Sequence, residues 1–477
     1  MTSTDRTPLC VDLDGSLIHS DLLLESFLLL IKRNPLYLLL LPIWLLGGKA
    51  KLKAEIASRV TLNGAALPYT KPLLTWLEAQ KASGRPIWLC TASDHRLARA
   101  VADHVGLFDG VMASDGQLNL AGSNKAAELV KRFGEKGFDY VGNHSVDLKV
   151  WAHARRAIVV NAAASLQDQA ARLCTVDHVI KPLPGGVKVM AKALRVHQWA
   201  KNGLILVPLL AAHRMGDLGT LGQALLAFAA FSLCASSVYL LNDMLDLEAD
   251  RQHHSKCNRP FAAGRLSLLF GLGATPVLLA AAVAICAWLP ARFAVVLVAY
   301  YIATLAYSFG LKKVVMLDVL ALAGLYTVRI VAGAAATEIP LSFWLLMFAV
   351  FIFLSLAIVK RYAELFQMRQ QGKLKAKGRG YQVEDISLLQ SLGTASGYLS
   401  ILVLALYLNS PDVALMYPHP KMVWGLVPIM LYWISRIWME THRGQMHDDP
   451  LVYALKDRIS LLTGVAAAVL LFFAARA

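Results

Sequence analysis

The chain has 477 residues, of which 57% are hydrophobic and only 17% charged, and its formal net charge is +15. Soluble proteins carry about 25% charged residues, so this composition excludes a disordered chain, a collagen and a coiled coil, and argues against a fully soluble enzyme. The positive charge is typical of the cytoplasmic loops of a membrane protein, and we expect no nucleic-acid partner.

Alternating strands and helices fill the first part of the chain. Short apolar strands are predicted at 9–13, 86–90, 138–142 and 157–161, with charged helical stretches between them. This alternation is typical of a parallel, doubly wound (Rossmannoid) α/β sheet. The pattern ends at the segment PLPGG at 182–186, after which long apolar runs dominate. We therefore predict an α/β domain over 1–187 and a second domain over 188–477.

An apolar stretch at 22–48 interrupts the α/β pattern, and the basic segment KRNP at 32–35 divides it. Each half has roughly 10–12 residues, whereas a transmembrane helix needs about 20, so neither half spans a bilayer. Two interpretations remain open. The stretch is either a helical hairpin buried in protein, or an interfacial hairpin that holds the domain against the membrane.

Two aspartates end the first predicted strand, in the sequence VDLDGSL. Asp12 and Asp14 can take the two roles that phosphoryl transfer needs. One carboxylate attacks phosphorus while the other donates a proton to the leaving oxygen. A turn that caps a helix would show the same Asp-Gly pattern. Three polar residues follow along the chain in an order that favours the catalytic interpretation: Thr91, Lys125 and Asp147.

This order of motifs resembles the haloacid dehalogenase (HAD) superfamily of Mg²⁺-dependent phosphatases, over residues 7–180. The resemblance implies that Asp12 is the nucleophile and Asp14 the general acid. It implies that Thr91 and Lys125 hold the phosphoryl group. The Mg²⁺ ligands that the resemblance implies are three carboxylates and one amide: Asp12, Asp14, Asp147 and Asn143.

Asn143 departs from the family pattern, because it stands where the fourth motif usually has a carboxylate. Its neutral oxygen can bind Mg²⁺, but with less charge, so a weakened or purely structural domain stays open. The family often inserts a cap between its first and second motifs, and we expect one at 22–80. An apolar cap would suit a lipid-linked phosphate.

The second part contains about nine hydrophobic segments of membrane-spanning length. They are predicted at 197–213, 219–242, 267–289, 292–310, 315–336, 341–360, 388–408, 421–440 and 459–475. Basic residues concentrate in alternate loops, which the positive-inside rule assigns to the cytoplasm. We therefore predict a multi-pass protein of the inner (cytoplasmic) membrane, with its first domain on the cytoplasmic side. A homo-oligomer is compatible with the sequence.

The second predicted span ends in the acidic sequence NDMLDLEAD. Asp243, Asp246 and Asp250 are spaced i, i+3 and i+7, which places them on one face of a helix. Three carboxylates repel one another unless a cation lies between them, and Mg²⁺ on a diphosphate would supply it. The alternative is a solvated acidic helix end. Phosphate or substrate contacts are also expected from neighbouring polar residues: Asn242, Lys256 and Arg259.

Polar residues recur in later segments at the same predicted membrane face. Those expected to bind phosphate or substrate are Lys201, Lys312, Tyr326, Arg329, Lys360 and Arg361. Arg329 lies in an apolar segment and is a functional candidate, unless it forms a structural ion pair with Asp318. Lys360 and Glu364 are equally compatible with an i, i+4 pair. The segment DDP at 448–450 suits a metal or phosphate site, or a solvated loop.

The membrane segments resemble the UbiA superfamily of intramembrane prenyltransferases, over about residues 190–477. Finer motifs resemble one branch, the decaprenyl-phosphate phosphoribosyltransferases: LRVHQWAKN (194–202), NDMLDLEADRQHHSKCNRPFAAG (242–264), YSFGLKKVVMLDV (307–319), LYTVRIVAG (325–333) and KRYAEL (360–365). This resemblance implies Mg²⁺-dependent transfer of 5-phosphoribosyl from phosphoribosyl diphosphate (PRPP) to a polyprenyl phosphate. Asp318 stands alone where many members have two or more acidic residues.

The two resemblances together imply consecutive steps on one lipid, since the first domain would remove the 5-phosphate to give polyprenyl-phosphoryl ribose for the cell envelope. Two alternatives remain. The chain is an aromatic prenyltransferase of a quinone or haem pathway with an unrelated or inactive first domain, or it is a non-catalytic membrane transporter or scaffold.

Overall fold

The computed structural model describes residues 6–253, 255–372, 379–410, 413, 417–446 and 449–475. The chain divides into two compact units. The first contains the residues up to Leu194 together with Tyr239–Thr275, and the second contains Arg195–Val238 and Pro276–Ala477. The acidic NDMLDLEAD segment therefore packs with the first part of the chain.

A six-stranded parallel sheet forms the centre of the first unit, which confirms the predicted α/β class. Its strands are β1 (Leu9–Val11), β2 (Ile87–Asp94), β3 (Gly110–Ser114), β4 (Asp139–Gly142), β5 (Arg156–Val160) and β6 (Thr175–Ile180). Their order is β3-β2-β1-β4-β5-β6, the doubly wound order in which the direction of winding reverses beside β1. The carboxyl ends of β1, β2 and β4 therefore lie side by side, where such sheets bind ligands.

Strands β3 and β6 are absent from the sequence-based prediction. Both are edge strands, and β6 alternates exposed with half-buried side chains up to the buried Ile180. An edge strand that is covered only in part lacks the continuous apolar run of a central parallel strand, so its signal in the sequence is weak.

Helices cover the sheet and include the predicted cap region. They are α1 (Leu22–Arg33), α2 (Leu41–Leu46), α3 (Lys49–Ala57), α4 (Lys71–Ala82), α5 (His95–Val105), α6 (Ser123–Phe133), α7 (Leu148–Trp151), α8 (Ala164–Ala171) and α9 (Val187–Ala193). Successive side chains of a strand point to opposite faces, so Leu9 and Val11 pack in one core and Cys10 packs in the other. The aspartates after β1 thus follow a strand that is buried on both faces.

The apolar stretch at 22–48 folds as a series of short helices. Helix α1 is followed by the 3₁₀ helix Pro35–Leu39, by α2 and by α3. Leu30, Trp44 and Ile56 form a small core of their own. Part of the stretch is therefore buried in protein, while large apolar side chains between 36 and 46 stay exposed.

The rest of the described chain is helical. Its helices are α10 (Val207–Ala211), α11 (Leu218–Leu245), α12 (Leu247–Arg251), α13 (Leu268–Ile285), α14 (Ala291–Phe309), α15 (Leu317–Thr337), α16 (Phe343–Gln370), α17 (Ile386–Leu408), α18 (Pro420–Val423), α19 (Leu426–His442), α20 (Pro450–Lys456) and α21 (Arg458–Ala475). Within the described residues, eight helical segments are long and apolar enough to cross a membrane, and they coincide with eight of the nine predicted spans.

The remaining predicted span, at 197–213, is not one long helix. It consists of the 3₁₀ helix Val196–Leu206 followed by the short helix α10. Pro208 lies in the first turn of α10, where proline starts an α-helix well, whereas inside a longer helix it would remove a backbone hydrogen bond. The segment is therefore as apolar as a transmembrane span, but it lacks the continuous backbone hydrogen bonds of one long α-helix.

Candidate functional site

One cluster of polar side chains lies at the carboxyl ends of β1, β2 and β4. Asp12 is only 7% exposed, and Lys125 Nζ donates to its Oδ1 over 2.7 Å. Ser16 Oγ donates to the other carboxylate oxygen over 3.1 Å. The fold thus pairs the expected nucleophile with the lysine that is expected to hold the phosphoryl group.

Asp14 is held by donors from two directions. Leu22, the first residue of α1, donates its backbone N–H to Asp14 Oδ1 over 2.7 Å. Ser93 Oγ and Thr91 Oγ1, from β2, lie 2.8 Å and 3.4 Å from Oδ2. One carboxylate oxygen therefore faces the start of the cap region and the other faces the second strand.

Asp147 completes the cluster from the turn after β4. Its Oδ2 accepts hydrogen bonds from two successive backbone amides, those of Asn143 and His144, at 3.0 Å and 2.9 Å. Tyr140 OH donates to its Oδ1 over 3.0 Å and accepts from Lys125 over 2.9 Å. A continuous chain of hydrogen bonds thus links Asp12 to Asp147 through a lysine and a tyrosine.

The turn after Asp14 brings β1 against the turn after β4. Gly15 has a φ of +77°, which glycine adopts without the steric cost of a Cβ. A Cβ at this position would lie 2.1 Å from Asn143 Nδ2. Asn143 therefore packs directly on the turn that carries Asp14, and its Oδ1 accepts from Ser16 over 3.2 Å.

Burial changes the proton affinity of both aspartates. Desolvation raises the pKa of Asp12 to about 6, although the Lys125 charge opposes the rise. Desolvation, with the negative charges of Asp21 and Asp12, raises the pKa of Asp14 to about 7. Burial therefore favours the protonated form of both carboxyls, which is the form that a general acid requires.

Carboxylate and amide oxygens are the ligands that Mg²⁺ prefers, so the donor set of this cluster fits the ion by its chemistry. Within the described ranges, no group of three or more His, Cys, Asp or Glu side chains is already arranged to hold one metal ion. Lys125 and the backbone amides hold the carboxylates in place.

The acidic segment after the second span forms another cluster. Helix α11 ends at Leu245, and Asp246 stands between it and α12 with φ −102° and ψ 17°. Arg259 Nη1 donates to Asp243 over 3.1 Å and to Asp250 over 2.6 Å. One guanidinium thus joins two of the three aspartates, both of which are at most 3% exposed.

Asp246 has a different cationic neighbour, which comes from α1. Lys32 Nζ lies 2.8 Å from Asp246 Oδ1. Each of the three aspartates therefore contacts a cationic side chain. Their carboxylate oxygens suit Mg²⁺. Asn242 lies in the last turn of α11 and Lys256 begins the 3₁₀ helix Lys256–Asn258, both half-buried.

Helix α1 is tied to this acidic segment at a second point. Arg251 donates to both carboxylate oxygens of Glu25, over 2.8 Å and 2.6 Å, and both side chains are largely buried. Asn63 Nδ2 donates to Glu248 over 3.0 Å. A cavity of about 180 Å³ opens beside these contacts, with Lys32 and Met244 among its walls. The first residue of α1, Leu22, thus contacts Asp14. Further along the same helix, Glu25 and Lys32 contact the acidic segment.

The second unit gathers several predicted residues around Asp449. Lys201 Nζ and Lys360 Nζ lie 2.7 Å and 2.9 Å from Asp449 Oδ2, and Tyr326 OH donates to the same carboxylate over 3.1 Å. Desolvation disfavours ionisation of Asp449, but the charges of Lys360 and Lys201 outweigh it and hold its pKa well below the usual value. Asp448, the neighbouring predicted aspartate, lies outside the described residues.

The two structural pairs considered from the sequence do not form. Asp318 pairs with Arg361, whose Nε lies 2.7 Å from its Oδ2 with both side chains fully buried. Arg329 instead donates from Nε to Asn202 Oδ1 over 2.9 Å. Glu364 contacts Arg361 one turn away, rather than Lys360. Asp318 and Arg329 each have a closer partner on another helix, whereas Glu364 pairs within α16 at i, i+3 instead of i, i+4.

Lys312 lies half-buried in the 3₁₀ helix Leu311–Lys313. Sequence reasoning missed Ser16, Ser93 and Tyr140 as parts of the first cluster, and left Asp449 undecided. Ser16 and Ser93 carried a usable signal, because each follows a motif residue within four positions. Tyr140 lies inside an apolar strand, where it is indistinguishable from a core residue.

Comparison with known proteins agrees with the helical architecture. The profile of the UbiA prenyltransferase family matches residues 204–456. An uncharacterized protein of Sinorhizobium fredii, y4nM, is 37% identical over 462 residues, which cover 96% of this chain and 89% of that protein. The chain is thus similar to that protein through both of its parts.

Two further relatives match a shorter part of the chain. Nodulation protein NoeC of Azorhizobium caulinodans is 38% identical over 273 residues, which are 57% of this chain and 88% of that protein. A decaprenyl-phosphate phosphoribosyltransferase of Mycolicibacterium smegmatis is 34% identical over 282 residues, again 57% of this chain and 88% of that protein. With its eight candidate spans, the chain is a multi-pass membrane protein that belongs to the UbiA prenyltransferase family.

Proposed function

We propose that the chain transfers a 5-phosphoribosyl group from PRPP to a polyprenyl phosphate in the membrane. The observation that carries this proposal is its similarity, across most of their length, to proteins named decaprenyl-phosphate phosphoribosyltransferase. The concentration of basic residues in alternate loops supports a cytoplasmic side for the reaction and the inner membrane as its location.

The aspartate motif would bind the diphosphate end of the donor. Asp243, Asp246 and Asp250 would hold Mg²⁺, which when bound neutralises the charge that develops on the departing diphosphate. Arg259 lies between two of these carboxylates and is placed to turn to a phosphate oxygen. Lys256 supplies further positive charge nearby.

The cluster around Asp449 would bind a phosphate group in the second unit. Lys201 and Lys360 share one carboxylate, so two ammonium groups are held close together. Tyr326 orients the same carboxylate. The ammonium groups of Lys201 and Lys360 would already be close together before a phosphate binds, which lowers the entropy cost of binding.

The transfer itself breaks one bond and forms one. The bond between ribose C1 and the diphosphate oxygen breaks, and its electron pair leaves with the diphosphate. A phosphate oxygen of the lipid forms the new bond to C1 from the opposite face. The apolar membrane helices would accommodate the polyprenyl tail.

We propose that the first part of the chain then removes the 5-phosphate. Asp12 Oδ would attack phosphorus while the P–O5 bond breaks, and Asp14 would donate a proton to O5. Water would next attack the phosphorus of the aspartyl phosphate, with Asp14 accepting its proton, while the bond between phosphorus and the Asp12 oxygen breaks and inorganic phosphate leaves. Lys125 and Thr91 would bind the phosphoryl oxygens, and Asn143 and Asp147 would complete the Mg²⁺ ligands. The raised pKa of Asp14 supports its role as an acid.

A direct test is to incubate the purified chain with PRPP, a polyprenyl phosphate and Mg²⁺, and to follow the lipid by mass spectrometry. We expect dephosphorylated ribosyl lipid from the unmodified chain and the 5-phosphate form from Asp12→Asn. If both stop at the 5-phosphate, the transferase proposal stands and the phosphatase proposal is wrong. If the lipid is unchanged while a prenyl diphosphate is consumed with an aromatic acceptor, the chain is an aromatic prenyltransferase instead.

A further inference from the structure

The segment Pro35–Leu46, here termed the apolar tip, exposes a run of large apolar side chains. Its outward side chains are between 38% and 89% exposed: Leu36, Leu38, Leu39, Leu40, Ile43, Leu45 and Leu46. Large contiguous apolar patches on a protein surface mark a binding site for another protein or for a membrane. The patch therefore requires a partner that is itself apolar.

The apolar tip is folded, so its exposed face is not a disordered end. Asn34 caps the 3₁₀ helix Pro35–Leu39 by accepting from the backbone N–H of Leu36. Trp44 turns inward to Leu30 and Ile56, and the guanidinium of Arg59 lies 4.8 Å from its ring. The tip thus has an inner face anchored in protein and an outer face that the described part of the chain leaves exposed.

The charges that flank the apolar tip have one sign. Lys32 and Arg33 precede it and Lys49 and Lys51 follow it, whereas acidic residues are absent between 26 and 54. An apolar surface bordered by basic side chains is the pattern of segments that lie in the headgroup region of anionic membranes. A tip of about 12 residues is too short to span a bilayer, so it would lie in one leaflet.

We propose that the apolar tip inserts into the lipid bilayer that holds the chain's own membrane helices. A bilayer is the partner that a multi-pass protein always has beside it, which favours lipid over a second protein. The inference depends on the membrane assignment and not on the reaction. Insertion of the tip would also explain the position of the cap. Helix α1 extends from the Asp14 carboxylate to the tip, and its 12 residues span roughly 18 Å. The first active site would then face phosphates at the membrane surface.

The test uses the full-length chain in nanodiscs that contain anionic phospholipid. Leu39→Cys and Leu46→Cys receive a nitrobenzoxadiazole label, and Lys131→Cys is the control on α6, where the lysine side chain is 78% exposed. The unmutated chain, labelled in the same way, reports the background from native cysteines. Lipids with a nitroxide on the acyl chain quench labels inside the bilayer, and iodide quenches labels in water.

We expect the two tip labels to be quenched by nitroxide lipid and shielded from iodide, with the Lys131 label showing the reverse. Tip labels that iodide quenches as strongly as the control would overturn the proposal. Labels shielded from both quenchers would overturn it too, because protein would then cover the tip. Either result leaves the mass-spectrometric test of the transfer reaction unaffected.

Discussion

Glu25 and Arg251 are 226 residues apart in the chain, and they form a two-point ion pair that is largely buried. Glu25 lies on α1, whose first residue, Leu22, donates to Asp14, and Arg251 ends α12, which carries the last aspartate of the acidic motif. Two clusters that are separate in the sequence are therefore held by one 12-residue helix.

Breaking this pair should loosen the acidic segment. We expect Glu25→Gln to cost about 3–5 kcal/mol locally, because removing one partner leaves a buried charge uncompensated. Hydrogen exchange of the α12 amides measures the loss. The control is Lys81→Met, which breaks an exposed pair with Asp109 and should cost about 0–1 kcal/mol. Equal protection of α12 in both variants would contradict the prediction.

Lys32 should contribute to binding of the diphosphate donor. Its Nζ contacts Asp246, so Lys32→Met removes a charge from the aspartate motif. A charged hydrogen bond of about 1.5 kcal/mol corresponds to roughly tenfold weaker PRPP binding, measured by calorimetry with Mg²⁺ present. Arg33→Met is the matched control, because Arg33 donates to the Arg59 carbonyl instead. A similar affinity in the two variants would show that only net charge matters.

Asp449 should be needed to hold two lysines together. We expect Asp449→Asn to raise the KM for the phosphate substrates at least tenfold, since Lys201 and Lys360 would repel each other without the carboxylate. Asp217→Asn is the control, because Asp217 is a loop carboxylate that only caps α11. If the asparagine variant retains its KM and loses only stability, the cluster is structural.

The first part of the chain should lose stability as pH rises when Mg²⁺ is absent. Burial raises the pKa of Asp14 to about 7 in the folded state, from an ordinary value of 3.8, so between these pH values the folded state retains a proton that the unfolded state has lost. This contribution is complete below the unfolded pKa and disappears as pH rises toward 7. Protection of the β1 amides from hydrogen exchange, corrected for the intrinsic pH dependence of exchange, should therefore weaken more between pH 5 and 7.5 in the unmodified chain than in Asp14→Asn. Parallel curves would contradict it.

The sequence predicted the sheet and several polar residues that gather at one of its edges, because these depend on local patterns. Asp12, Asp14 and Thr91 follow strands, and strands of a parallel sheet end at one edge. The partners of Arg251 and Asp449 could not be predicted in this way. An ion pair between distant segments leaves no periodicity in the sequence, and it depends on which helices the fold brings together. The pair of Asp318 with Arg329, considered as an alternative to a functional role, does not form for that reason.

The packing of Tyr239–Thr275 with the first part of the chain means that its two parts are not separable modules. A cut near residue 187 would follow the change in composition. It would also remove the ion pair of Arg251 with Glu25 and the hydrogen bond from Asn63 to Glu248. The C-terminal fragment would then expose a surface that is cationic and partly apolar. Co-expressed halves should therefore reassociate, and a transplant of the helical half would need Arg251 replaced by an uncharged residue.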